Sequence, residues 1–258
     1  MYTFWTVYLV LPVIVAISHA RNLEELAKHY DVYAVEWMGT GRSDRPKFSS
    51  YELEYADAMF VDALEAWRKE LKIHKFHLGG HSMGVLGIHR HLERYHWASG
   101  FSALFGIFNG LQCVARYAGP LGPALLRFIA FARVSVMPEM SCIHRGLIPK
   151  EALAAYWYNN WGLEKSGEIA MHSHLLPGVY AKKPLCVMLT PETIKVPITF
   201  MYGGGPDWMT ASHGEKLAET FAGKQSVEVV IVPGAGHQVF MDNAPAFNEL
   251  LLSALARS

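Results

Sequence analysis

Phe76-His77-Leu78-Gly79-Gly80-His81-Ser82-Met83-Gly84 is the stretch that decides the fold of this 258-residue chain. A short apolar run, Phe76–Leu78, enters two glycines, and Gly80 to Gly84 spells G-x-S-x-G. Met83–Tyr95 then reads as a long helix. A serine carried on a tight strand-to-helix turn needs small neighbours two residues to either side, which the glycines supply. An inert Gly-Ser turn could share the pattern. The preceding strand and following helix are what favour a presented nucleophile.

A serine hydroxyl is a poor nucleophile at neutral pH and needs a base and an orienting carboxylate. In a strand–turn–helix setting the chain order is Ser, acid, His, each partner on a loop after a strand. Asp207 follows the apolar run Ile198–Tyr202, within Gly203-Gly204-Gly205-Pro206-Asp207-Trp208. His237 follows Val227–Val232, within Pro233-Gly234-Ala235-Gly236-His237. Ser82, Asp207 and His237 are therefore the candidate catalytic set, with the N–H of Met83 as candidate oxyanion donor. Asp207 also suits a helix N-cap, and His237 is one of 13 histidines that could fall near a strand end by chance. Asp57 and Asp62 precede the serine and sit in a helix.

His237 and Asp242 form an H-x-x-x-x-D pair, although Asp242-Asn243 before Pro245 reads equally well as the N-cap of a terminal helix. His89/His91 and His172/His174 are spaced i,i+2, unlike the i,i+4 pair of a helical metal site, and read as surface or cap residues. No metal site is expected.

Outward from this motif the chain alternates helix-like and strand-like segments. Asn22–His29 is helical in spacing. Val32–Val35 is a short apolar strand of the kind buried on both faces. Tyr55–Leu71 is an amphipathic helix with Met59, Ala63, Ala66 and Trp67 on one side. Phe101–Leu104 is another strand candidate, and Pro245–Leu255 a terminal helix. Strands separated by helices predict an α/β fold, a mostly parallel sheet covered on both faces. Between residues 110 and 183 the rhythm breaks into a stretch with no clear β-run, rich in Pro, Gly, Arg and aromatics such as Tyr156-Trp157-Tyr158 and Trp161. It reads as a mobile helical cap inserted over the sheet's carboxyl edge, where α/β folds bind ligands. The expected organisation is an atypical apolar segment at 1–20, a core at 21–109 and 184–258, and the cap at 110–183.

Composition narrows the function. Hydrophobic residues are 51% of the chain and charged residues 18%, enough for a sizeable core. Lys+Arg and Asp+Glu are both 23, so the net charge is zero and no basic field favours nucleic acid. Three scattered cysteines, Cys113, Cys142 and Cys186, suit neither a disulfide framework nor a zinc ribbon, and a reducing compartment is the default. A mean hydropathy of +0.13 leans toward apolar substrates or membrane contact.

The chain resembles the α/β-hydrolase superfamily, and within it the branch of α/β-hydrolase domain-containing proteins four and five with their plant and fungal lysophosphatidate acyltransferase relatives. The resemblance runs over residues 21–258. It rests on Trp37-Met38-Gly39-Thr40-Gly41-Arg42-Ser43 with Pro46 and on Gly79–Gly84. In the insertion it continues through Gly119-Pro120-Leu121-Gly122-Pro123, Leu147-Ile148-Pro149-Lys150-Glu151 and Ser166-Gly167-Glu168. Near the end it takes in Tyr202, Asp207-Trp208-Met209 and Gly236-His237 with Asp242. It implies a lipase, or an acyltransferase using acyl-CoA as co-substrate, acting on phospholipids or lysophospholipids. No other cofactor is implied. In the branch, His237 with Asp242 would be the acyltransferase signature. Relatives without a serine nucleophile are lipase co-activators on lipid droplets, and Ser82 sets this chain apart from those.

One departure concerns the N-terminus. The family carries a His-Gly-rich loop after its third strand that supplies an oxyanion N–H, whereas Ile17 here is followed by Ser18-His19-Ala20. The first two strands are expected to be missing as well, so the chain reads as shortened, unless backbone near His19 substitutes. Losing one oxyanion donor costs roughly 10²–10³ in rate. The apolar run Phe4–Ile17 is too short for a spanning helix of ~20 residues. It reads as a buried strand at Val13–Ile17, as a membrane-surface anchor through Phe4, Trp5 and Tyr8, or as a signal peptide lacking its charged start. Two functions are carried forward: a serine hydrolase or acyltransferase on glycerophospholipids, and a non-catalytic lipid-surface or co-activator protein. The expected location is cytoplasmic with peripheral contact to membranes or lipid droplets.

Overall fold

The computed structural model describes residues 6–11, 20–74, 76–81, 115–135, 139, 141–176, 180–182, 189–192, 194, 196–207 and 209–257. In chain order its elements are β1 (Thr6–Leu11), α1 (Ala20–Leu26), β2 (Asp31–Glu36), α2 (Leu53–Glu70), β3 (Phe76–Gly80), α3 (Gly122–Val134) and α4 (Lys150–Trp161). There follow α5 (Gly167–His174), β4 (Leu175–Leu176), β5 (Tyr180–Ala181), β6 (Ile198–Gly203), α6 (Ser212–Phe221), β7 (Val227–Val232), α7 (Val239–Asp242) and α8 (Ala244–Leu255). They fall into two compact units. One comprises Met1–Val15, Tyr30–Leu126 and Ala155–Met188, and the other Ala16–His29, Arg127–Ala154 and Leu189–Ser258.

The first unit is built on a parallel sheet of order β2-β1-β3, in which Thr6 pairs with Asp31 on one side and Phe76 on the other. The apolar N-terminal run thus supplies the middle strand of the three. That strand is Thr6–Leu11, while Val13–Ile17 lies outside the described residues. Expected as a strand buried on both faces, β2 is only half-buried: it has a paired neighbour on one side alone among the described residues, and Ala34 is exposed. Tyr33 meets Trp67 of α2 edge to face at 5.3 Å between centroids.

The buried stripe of α2 is Leu53, Ala56, Asp57 and Phe60, spaced i, i+3, i+4, i+7. The expected face through Met59, Ala63, Ala66 and Trp67 is rotated away from it, and Ala66 is exposed. Ala56 and Phe60 pack with Trp37, flanked by Phe48 and Leu64. Asp57 is tolerated on this apolar stripe because His174 Nε2 stands 2.8 Å from its Oδ1. His174 is therefore buried and not the surface or cap residue that its spacing suggested.

The loop after β2 is closed by short polar contacts within the same unit. Gly39 has φ +82°, and a Cβ there would strike the backbone of Gly167 at the start of α5. Gly167 N donates to Gly39 O at 3.1 Å. Asn160 Oδ1 accepts from Gly41 N at 2.9 Å and from Arg45 at 2.8 Å, and Tyr156 donates to Glu36 at 3.1 Å. Burial first, then the Glu36 carboxylate, pushes the Tyr156 phenol far up, so it stays a donor. Among the described residues of 110–183 the longer elements are α3, α4 and α5, and β4 and β5 form a two-residue antiparallel pair.

In the second unit β6 and β7 run parallel, Ile198 opposite Val227 through Gly203 opposite Val232. Leu217 and Phe221 of α6 are buried. Asn22 of α1 donates to Asn248 of α8 at 2.8 Å and to Phe240 O of α7 at 3.2 Å, tying three helices together by buried hydrogen bonds. Among the described residues no helix is long and apolar enough to cross a membrane.

Candidate active site

The glycines after β6 let its loop lie directly on the loop after β7. A Cβ at Gly203 would strike the carbonyl of Ala235, and one at Gly204 would crowd the side chain of Ile231 at 2.9 Å. In place of side chains, Gly204 N donates to Val232 O at 2.9 Å and Gly205 N to Ala235 O at 2.8 Å. The two loops are thereby zipped backbone to backbone. Gly203→Ala is expected to force them apart, costing about 1–3 kcal/mol by overpacking. Chemical denaturation checks the stability loss.

The zipped loops bring two of the candidate residues together. His237 Nδ1 lies 3.5 Å from Asp207 Oδ1, with the imidazole 18% and the carboxyl 6% exposed. That separation is slightly longer than a formed hydrogen bond, as is common for catalytic groups without substrate. The same Asp207 oxygen accepts from Met209 N at 3.2 Å, a local turn that fixes the carboxyl. Asp207 is not the N-cap of the following helix, since α6 begins at Ser212 after Ala211. When Nδ1 donates to the carboxylate, the imidazole lone pair lies on the far nitrogen, Nε2, the one that can accept a proton.

Asp242 occupies a different place. It is 3% exposed, and its Oδ2 accepts from Gly236 N at 3.0 Å. Burial raises its pKa above the usual carboxylate range. The backbone of Gly236 and Gln238, the Ser141 side chain and, to a smaller extent, the charge of His237 pull it back down. The N-cap of α8 is Asn243, whose side chain accepts from Ala246 N at 3.4 Å. Ser141 carried no motif and was not singled out by spacing. Its neighbour Cys142 is a free, buried cysteine.

Ser82 and Met83 lie outside the described residues, as do the helix expected at Met83–Tyr95, the strand expected at Phe101–Leu104 and the pair His89/His91. The strand expected before the serine is present as β3, ending at Gly80. Among the described residues no three His, Cys, Asp or Glu side chains gather as a metal ion would need.

Residues 15–105 match the family model of the alpha/beta hydrolase fold. A bromoperoxidase from Bacillus anthracis superposes with a TM-score of 0.65 at 17% identity, over 98% of this chain and 92% of that one. A hydrolase from Pseudomonas aeruginosa does so with a TM-score of 0.65 at 19% identity, over 99% and 91%. The chain is an α/β-hydrolase-fold protein. Within that fold it is similar to an Arabidopsis thaliana 1-acylglycerol-3-phosphate O-acyltransferase, 30% identical over 91% of this chain and 62% of the relative. A probable 1-acylglycerol-3-phosphate O-acyltransferase of Oryza sativa is 28% identical over 91% and 63%. The rat 1-acylglycerol-3-phosphate O-acyltransferase ABHD5 is 24% identical over 89% and 71%. The chain thus spans less than two thirds of the length of its two plant relatives. For an α/β-hydrolase-fold protein, loops after adjacent parallel strands are the expected carriers of the acid and the histidine, and Asp207 and His237 sit on two such loops.

Proposed function

We propose that this protein is a serine acyltransferase or hydrolase acting on glycerophospholipids or lysophospholipids. Ser82 attacks the acyl carbonyl, and His237 takes its proton and returns it to the leaving group, the alcohol oxygen of an ester donor or the CoA sulfur of an acyl-CoA donor. Asp207 holds the imidazole, and the Met83 N–H stabilises the tetrahedral oxyanion. Water resolves the acyl-enzyme to a free fatty acid, while a lysophospholipid hydroxyl resolves it to a diacyl product, with acyl-CoA as one acyl donor. The observation that carries this reading is the His237–Asp207 pair at 3.5 Å on consecutive zipped loops. The names of the plant and animal relatives support the lipid class. A lipid substrate also accords with a place at the membrane or lipid-droplet surface.

The test is covalent labelling of the full chain by a fluorophosphonate, beside Ser82→Ala. Labelling is expected in the parent chain and abolished in the variant. A chain folded by circular dichroism that takes no label would sink this reading and favour a non-catalytic lipid-surface role. In a labelled chain, product analysis with lysophosphatidate, in the presence and absence of acyl-CoA, separates hydrolysis from transfer.

A further inference from the structure

Helix α3 carries apolar residues on two opposite faces. Leu126, Ala130 and Val134, spaced four apart, form its inner face and are buried. Leu125, Phe128 and Ala132 lie on the other side and are exposed, Phe128 by 70% and Leu125 by 42%. A helix apolar all round is ordinarily enclosed by protein or by lipid, yet this outer stripe stands open. Charge around it is one-sided. No acidic residue stands between Glu93 and Glu139, a stretch that holds Arg94, Arg116, Arg127 and Arg133, whereas acids and bases balance over the whole chain. The fold then places two cations beside the stripe. The Arg127 guanidinium carbon lies 5.1 Å from the centroid of the Phe131 ring, and Lys150 Nζ lies 4.3 Å from the same centroid. The ring face attracts both without neutralising them. Both residues are exposed, and among the described residues neither makes an ion pair.

We propose that the outer face of α3 is a docking surface for an anionic phospholipid bilayer. The helix lies in the plane of the interface, with Phe128 and Leu125 at the boundary of headgroups and acyl chains. Arg127 and Lys150, kept alongside by Phe131, meet the lipid phosphates at headgroup level. An acidic protein surface would answer the cations but offer no apolar medium to Phe128. A neutral apolar surface would desolvate the cations with nothing to pair them. An anionic lipid supplies both. Under the function proposed above, this face brings the enzyme to the surface where its lipid substrates lie. That consequence rests on the proposed function, whereas the surface itself does not, since none of its residues belongs to the candidate catalytic set.

The experiment is flotation of the full chain with vesicles of phosphatidylcholine alone and of phosphatidylcholine containing about a quarter phosphatidylserine. It is run beside Phe128→Ser, the double variant Arg127→Gln with Lys150→Gln, and the control Val196→Ser, at another open apolar residue just before β6. The parent is expected to float with the anionic vesicles and far less with the neutral ones. Phe128→Ser is expected to weaken partitioning about tenfold, for the loss of one inserted apolar side chain. Removing both cations is expected to weaken it about 25-fold, at roughly fivefold per charge, and to abolish most of its salt dependence. Val196→Ser should float like the parent, and all variants should melt with it, because the replaced side chains are exposed. Parent-like flotation of Phe128→Ser and of the cation variant would place the anchor elsewhere, as in the apolar N-terminal run, and overturn the proposal. A parent that stays at the bottom of the gradient would overturn it too. If that parent is also a dimer in the analytical ultracentrifuge and Phe128→Ser a monomer, the face belongs to a second copy. Should Phe128→Ser not fold, Phe128→Trp is expected to float at least as well as the parent, since indole favours the headgroup region. Loss of flotation in a folded Phe128→Trp would count against the surface. Fluorophosphonate labelling is read separately: a chain that floats but takes no label fails the proposed function and keeps the docking face.

Discussion

Asp207→Asn is expected to lower the rate of acyl-enzyme formation roughly 10⁴-fold, the loss seen when the orienting carboxylate of a Ser-His-Asp set becomes an amide. The carboxylate accepts, so it selects the imidazole tautomer with its proton on Nδ1 and its lone pair on Nε2. An amide nitrogen turned toward Nδ1 donates instead, which moves the proton to Nε2 and blocks the nitrogen that must receive one from the serine. Turned this way the amide forgoes the 3.2 Å contact from Met209 N, which reaches the same oxygen as His237, but the local fold should survive, since one such turn bond is worth only about 0.5–1.5 kcal/mol. A melting temperature close to that of the parent chain, with fluorophosphonate labelling and p-nitrophenyl ester hydrolysis both collapsed, is the expected result. Parent-like rates in a folded Asp207→Asn chain would remove Asp207 from the mechanism.

Much of this architecture was legible because local chemistry and tertiary structure agree along the relevant stretches. Val227–Val232 is a β-rich run with a turn behind it, and it is a strand over that span. Gly203-Gly204-Gly205 and Gly234-Ala235-Gly236 were legible as turns after strands, and the structure adds that the two loops lie on each other. The resemblance to lipid acyltransferases rested on ordered motifs, which survive low overall identity. Ser82 and Met83 lie outside the described residues, so the nucleophile's place rests on the motif itself.

What escaped the sequence reading did so for identifiable reasons. Periodicity weighs apolar residues, so a charged residue on a core face turns the expected face of the helix. Asp57 did this in α2, where the buried stripe also carries Leu53, Ala56 and Phe60. The partner that makes it tolerable, His174, lies 117 residues further on, and no local pattern pairs them. The strand at Thr6–Leu11 escaped the reading because β-branched content draws the eye to the adjoining run Val13–Ile17, which lies outside the described residues.

His174→Ala is expected to destabilise the protein by about 3–5 kcal/mol, the cost of leaving a buried charged group without its partner. The pair joins the last residue of α5 to the first turns of α2, with Nε2 2.8 Å from Oδ1 and both side chains at or below 10% exposure. Truncation removes the group that satisfies the Asp57 carboxyl and opens a space that the surrounding chain fills only in part. The loss falls on stability first, because neither residue belongs to the candidate catalytic set. Replacing both, Asp57→Leu with His174→Leu, should recover most of the loss, since an apolar pair of similar bulk avoids the desolvation cost of both polar groups. The recovery separates a penalty for an orphaned polar group from a simple loss of packing. Urea denaturation of the two single variants and the double variant reads this directly. If the double variant is as unstable as His174→Ala, the cost lies in packing rather than in polarity. If His174→Ala is parent-like, Asp57 has other means of satisfaction, and the pair is not what holds α5 against α2.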